Sequence, residues 1–217
     1  MKQGIITVSL LLAATLVPGP AAAAPDRAVS LGLSSSGRGA DASALQLAVS
    51  GSPGDDEISV ALDGTQTQYT VTSTHPINPP PPPCTQASTF QIRCPTSDFV
   101  SITATLGNGS DTFTVGPSIL IPAALNGGAG ADNLGGGSGT DTIVGGSGHD
   151  RLLGHNGRDQ LRGGKGGDVE SGGEGKDTLT GGNGNDVLKG GEGRDVLKGG
   201  AGHDKLLGGA GRDVEKQ

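Results

Sequence analysis

The 217-residue chain contains no tryptophan, one methionine, one tyrosine and three phenylalanines. Because Tyr69, Phe90, Phe99 and Phe113 are its only aromatics, any conventional core is expected to be small and to lie in the first half. Long apolar runs are also scarce. The run from Ile5 to Val17 is shorter than the ~20 residues that span a bilayer, and no later stretch is longer. No long amphipathic segment is present, so membrane insertion is not expected. Familiar catalytic signatures are missing as well: there is no His-Glu-x-x-His, no Gly-x-Ser-x-Gly and no Gly-x-x-x-x-Gly-Lys-Ser/Thr. His75 and Asp98 could be combined with a serine on paper, but nothing in the local sequence supports a triad. The expectation is a protein that is not an enzyme. Cysteine is limited to Cys84 and Cys94, which can pair in an oxidising compartment. A closed loop of that length would contribute about 2–3 kcal/mol. Two unpaired thiols suit an exported protein less well.

Glycine, by contrast, is abundant, with 42 residues. From Gly127 to Lys216 one nine-residue phrase repeats ten times without a gap, and most copies fit Gly-Gly-x-Gly-x-Asp-x-(apolar)-x. The sixth place is filled by Asp132, Asp141, Asp150, Asp159, Asp168, Asp177, Asp186, Asp195, Asp204 and Asp213. The eighth place is Leu134, Ile143, Leu152, Leu161, Leu179, Leu188, Leu197 and Leu206, with Glu170 and Glu215 as exceptions. Composition alone would read as a flexible linker, but a linker needs neither a strict period nor an acid in every copy.

Glycines at three of the first four places allow a tight turn with positive φ. The three residues after the acid suit a very short strand whose middle side chain points inward. Two copies then complete one coil, and coils stack at about 4.8 Å, bringing identical turns and their carboxylates close together. Hard cations bind six to eight oxygens at roughly 2.3–2.6 Å, which carboxylates and turn carbonyls supply; calcium fits this donor set better than zinc.

By this pattern the segment resembles the RTX family of hemolysin-type calcium-binding repeats. The resemblance implies a parallel β-roll in which calcium lies between the turns of adjacent coils, held by the aspartates of both turns and by turn carbonyls. Ten turns would then allow at most eight such sites, with the ten sixth-place aspartates as metal ligands. The resemblance also implies a bacterial exported protein. One large apolar residue per nine returns less than the ordering of nine backbone residues costs, so the block is expected to be disordered without calcium and to fold when it binds.

Several copies depart from the phrase. His155 replaces a second-place glycine and must take a left-handed conformation, which would weaken that turn. Glu170 should stand between Leu152 and Leu188, where it either turns outward or breaks the roll locally, unless the strand slips to bring Val169 inward. Glu215, in the last copy, suits a polar cap. His149 and His203 occupy the fifth place, where other copies carry Arg158, Lys176, Arg194 and Arg212; a solvated turn is the simpler reading than a transition-metal site. The net charge is −7 and the basic residues alternate with acids along the chain, so no nucleic-acid partner is expected.

In the first half, Met1 to Ala24 combines Lys2, the apolar run and four alanines, and reads as a secretory signal peptide cleaved after Ala23 or Ala24. Export by that route is expected, giving a secreted, extracellular protein. Pro79 to Pro83 is expected to form an extended, exposed arm. Alternation at Leu45, Leu47, Val49, at Ile58, Val60, Leu62, and at Val100, Ile102, Ala104, Leu106 marks strands. The stretches 51–58 and 107–113 look like degraded copies of the same phrase.

The fold expected is all-β: a C-terminal parallel β-roll preceded by a small irregular β-rich region. The organisation expected is a signal peptide over 1–23, a β-rich region with its proline loop over 24–106, a degenerate repeat and connector over 107–126, and the calcium-binding roll over 127–217. The function expected is a secreted calcium-binding protein that folds on binding; the alternative is an extracellular structural or adhesive spacer stiffened by calcium. The residues name no protein or polysaccharide partner.

Overall fold

The structure, a computed structural model, describes residues 30–35, 45–78, 80, 83–96 and 99–217; the expected signal peptide, as well as Pro79, Pro81 and Pro82 of the proline arm, lie outside them. Of that arm, Pro80 and Pro83 are half-buried. The chain is nearly all β, and no helix among the described residues is long and apolar enough to cross a membrane.

The first strands are β1 (Ser30–Ser35), β2 (Leu45–Ser50), β3 (Glu57–Leu62), β4 (Gln68–Ser73), β5 (Thr85–Ser88) and β6 (Gln91–Pro95). They are followed by β7 (Phe99–Asn108), β8 (Thr112–Val115), β9 (Ala123–Ala129) and β10 (Asn133–Gly135). The remaining strands are β11 (Thr142–Ser147), β12 (Arg151–Gly157), β13 (Gln160–Lys165), β14 (Val169–Gly175), β15 (Thr178–Asn183), β16 (Val187–Gly193), β17 (Val196–Ala201), β18 (Lys205–Gly211) and β19 (Val214–Lys216).

Two sheets contain them all. One runs β1-β2-β7-β9-β11-β13-β15-β17-β19 and the other β18-β16-β14-β12-β10-β8-β3-β4-β6-β5. From β7 onward, consecutive strands fall in opposite sheets, and every pairing is parallel. Within the repeats each residue pairs with the one 18 positions on, Ile143 with Leu161 and Leu161 with Leu179, so two copies make one coil. Both sheets continue into the first half: β7 pairs in parallel with β2, and β8 with β3. The degraded phrases are therefore coils of the same stack, with Phe113 between Ile58 and Leu134.

The core is a narrow file between the sheets. Each eighth-place Leu or Ile from Leu134 to Leu197 is buried, and Phe113, Ile102, Ala104 and Leu106 extend the file toward the N-terminus. A wider cluster closes that end, where Tyr69 and Phe99 meet edge to face with centroids 6.1 Å apart. The predicted alternation of β7 fails at its start. Phe99 is buried and Val100 is exposed, because β7 bulges at Val100, which is left over where Leu45 pairs with Phe99 and Gln46 with Ser101. Cys84 and Cys94 form a disulfide that ties the start of β5 to β6.

Glu170 corrects both expectations stated for it. It pairs with Leu152 on one side and Leu188 on the other without a register shift, and its side chain is fully buried. Val169 stays in register with Arg151 and Val187, so no slip brings it inward. The buried carboxylate is accommodated because its Oε1 accepts the backbone N–H of Gly163 at 2.7 Å.

Candidate metal centre

Each repeat begins with a glycine whose Cα lies under the carboxylate that ends the same turn: a Cβ on Gly145, Gly163 or Gly181 would collide with Asp150, Asp168 or Asp186. That crowding explains why the first place is glycine and why the aspartate folds back into its own turn. The second place needs a positive φ, which glycines supply in most copies and His155 adopts at 76°.

The folded-back aspartates form two rows, one along each long edge of the roll. Asp132, Asp150, Asp168, Asp186 and Asp204 line one edge; Asp141, Asp159, Asp177, Asp195 and Asp213 line the other. Within a row, Oδ1 of each aspartate accepts the backbone N–H of the aspartate one coil earlier, except that Asp141 accepts that of Ala123. Asp159 takes that of Asp141 at 2.8 Å, and Asp168 that of Asp150 at 2.9 Å. The other oxygen is left over. Oδ2 of Asp132, Asp150, Asp159, Asp168, Asp177, Asp186, Asp195 and Asp204 is buried and has no hydrogen-bond partner. In Asp141 that oxygen instead accepts the N–H of Gly137 at 2.9 Å. Asp204 and Asp213, near the end of the stack, are half-buried.

Two further aspartates that the site prediction omitted continue the first row. Asp111 Oδ1 accepts the N–H of Asp56, and the N–H of Asp111 is donated to Asp132 Oδ1. Both lie in the degraded phrases at 51–58 and 107–113, where they stand at the place of the repeat aspartate. Asp111 has a buried, unpartnered Oδ2 like the repeat aspartates. Asp56 does not: Ser52 N–H and Oγ donate to its two oxygens at 2.6 and 2.9 Å, and His75 Nδ1 lies 3.1 Å from Oδ1.

Burial drives the electrostatics. Desolvation, followed by repulsion from Asp141 and Asp177, pushes Asp159 up to about 7. Asp150 and Asp111 are raised to about 6 for the same leading reason. Asp132, Asp141, Asp168, Asp177, Asp186 and Asp195 are likewise raised above the usual carboxylate range by burial. A file of desolvated, like-charged carboxylates with a spare oxygen each is a place where a cation gains far more than it would in water.

The donor set is oxygen only, which fits a hard divalent ion. Among the described residues, no group of three or more His, Cys, Asp or Glu side chains converges on one point. The aspartates lie one per coil along each row, so the rest of any coordination shell has to come from turn carbonyls. The buried, unpartnered Oδ2 atoms are the residues' half of that fit.

The family model for the RTX calcium-binding nonapeptide repeat matches at 124–143, 135–170, 171–206 and 180–215. Residues 124–215 belong to the RTX calcium-binding nonapeptide-repeat family. Neither a curated protein nor a solved structure matches the chain. Calcium binding is what RTX repeats in a β-solenoid imply, and the aspartate rows are the feature of this roll that suits it.

His149 and His203, set aside in the sequence as metal ligands, are exposed on the outside of the RTX turns. The N–H of Gly167, at the same place one coil on, donates to His149 Nδ1 at 2.8 Å, and the N–H of His203 donates to Asn185 Oδ1 at 2.8 Å.

Proposed function

We propose that this protein is a secreted, non-catalytic calcium binder whose repeat block orders as calcium enters between stacked turns. The observation that carries the reading is the file of buried Oδ2 atoms without partners, at eight of the ten repeat aspartates. An apolar file one residue wide is a thin core, and it encloses charges that repel one another. The folded roll therefore gains stability from any divalent cation that binds it and not the unfolded chain.

Export is supported by the N-terminal segment of 1–23 and by the disulfide, which persists in oxidising surroundings. The non-catalytic reading is supported by the described residues, among which no nucleophile is paired with a base. Ser52 Oγ and His75 Nδ1 both approach the same Asp56 oxygen. The grooves of about 140 and 340 Å³ beside β3–β4 and on β11–β13 are lined by no histidine or cysteine.

A calcium titration followed by far-ultraviolet circular dichroism tests the reading, with magnesium as control. A cooperative rise in β signal with several ions bound per chain is expected. A spectrum indifferent to calcium would overturn folding on binding, and calorimetry without heat of binding would overturn the calcium reading altogether.

A further inference from the structure

Along the sequence, the acids and bases of the roll alternate; in the structure they are sorted by depth. Residues 127–217 carry eleven Lys and Arg against fourteen Asp and Glu, a net of −3. All eleven cations are exposed. Ten of the acids are the turn aspartates, buried or half-buried, and an eleventh is the buried Glu170. Only Glu174, Glu192 and Glu215 are exposed acids. The surface of the roll is thus basic, although its composition is acidic. Among the described residues the one ion pair is His75 with Asp56, so none of these cations is held in a close ion pair, although Glu174 and Glu192 stand two places before Lys176 and Arg194.

The cations are also aligned. Arg158, Lys176, Arg194 and Arg212 occupy the fifth place of alternate copies, each next to its row aspartate. Because Asp159, Asp177, Asp195 and Asp213 stack along one edge, so do the four cations, one per coil and about one strand spacing (~4.8 Å) apart. The opposite edge carries Ala131, His149, Gly167, Asn185 and His203 at the equivalent places and no such row.

We propose that this edge is a docking surface for a linear acidic polysaccharide. A polymer bearing one anionic group per sugar presents a repeating line of charge to a repeating line of cations. No aromatic residue follows Phe113, so the roll has nothing to stack on bases, as single-stranded nucleic acid would require. Resting on the calcium reading above, the surface is gated: calcium orders the coils that align the four cations and matches the buried carboxylates, so that eleven exposed cations face three exposed acids, whereas the ion-free segment has a net charge of −3 and no aligned row.

Chondroitin sulfate, which carries an anionic group on each sugar, is the probe. Binding to the full mature chain is measured with and without calcium by fluorescence anisotropy of the labelled polymer, alongside calorimetry of calcium itself. The row variant R158N/K176N/R194N/R212N uses the residue already present at this place as Asn185, and R151Q/K189Q/K205Q is the control. Expected are binding only with calcium, a loss of at least about tenfold in the row variant, and less than about threefold in the control. The double variant R158N/R194N, expected to lose at least about threefold, serves if four changes together abolish the calcium-induced dichroism. Equal affinity of wild type and row variant, or binding independent of calcium, would overturn the proposal. So would binding of single-stranded DNA or phosphatidylserine vesicles in place of the polysaccharide. If calcium binds and the polymer does not, the docking surface fails and the calcium reading stands; if calcium does not bind, both fail.

Discussion

Glu170 Oε1 accepts the backbone N–H of Gly163 at 2.7 Å, so an acid at the eighth place is bonded to the first residue of its own copy. Glu215 repeats the contact with Gly208 at 2.6 Å, at the exposed end of the stack. The two glutamates follow one local rule, and only the burial of the first makes it costly. Its Oε2 has no partner, and burial pushes the carboxyl up to about 8.

A group with that shift works against the fold as pH rises. Because the folded-state value lies above the unfolded one near 4.5, the folded roll holds the proton that the unfolded chain releases. Its contribution is therefore fully present below about 4.5 and is lost as pH climbs to about 8. Glu170→Leu, which restores the residue type of Leu152 and Leu188, is expected to stabilise the roll by about 1–3 kcal/mol at the alkaline end. The gain should shrink toward pH 5. Thermal melts of both proteins across that range, at fixed saturating calcium, check it; a gain equal at both ends would contradict the assignment.

Asp159 separates hydrogen bonding from charge. Asp159→Asn keeps an oxygen for the N–H of Asp141 but removes the charge that a cation requires. Calorimetry is expected to show fewer calcium ions per chain. Without calcium its dichroism should show no less β structure than wild type, since the desolvated charge beside Asp141 and Asp177 is gone. An unchanged stoichiometry would remove Asp159 from the ligand set.

Much of this roll was legible in the sequence because its period is strict. Residues 18 apart pair as two nine-residue copies demand, and the inward Leu and Ile positions follow. The fate of Glu170 was not legible, since it turns on whether a backbone N–H lies within reach of the carboxylate, a matter of turn geometry that residue order does not reveal. The sorting of charge by depth was hidden for a related reason. Arg158 and Asp159 are adjacent in sequence, yet the fold-back over Gly154 buries one and leaves the other in solvent. Val100 was misplaced because a bulge adds one residue to an otherwise regular alternation.

His155 offers a cleaner test of backbone strain. It is the one non-glycine among the described second-place residues of the ten copies, and it holds φ at 76°. A side chain in the left-handed region costs roughly 1 kcal/mol, which glycine avoids. His155→Gly is therefore expected to raise the melting temperature and to lower the calcium concentration at the folding midpoint. A fall in stability would show that the imidazole makes a compensating contact.

The disulfide acts on the other end of the molecule. Cys84–Cys94 closes a short loop at β5 and β6, the outermost strands of the sheet that reaches the repeats only through β4, β3 and β8. Cutting it with C84S/C94S is expected to cost the first half about 2–3 kcal/mol, as the unfolded loop regains its freedom. Because β5 is an edge strand that pairs only with β6, the loss should stay local. The calcium midpoint measured by dichroism of the repeats is expected to move little, while proteolysis between β4 and β6 accelerates. A large shift in that midpoint would mean that the N-terminal coils template the roll, with order spreading from Phe113 and Leu134 into the repeats.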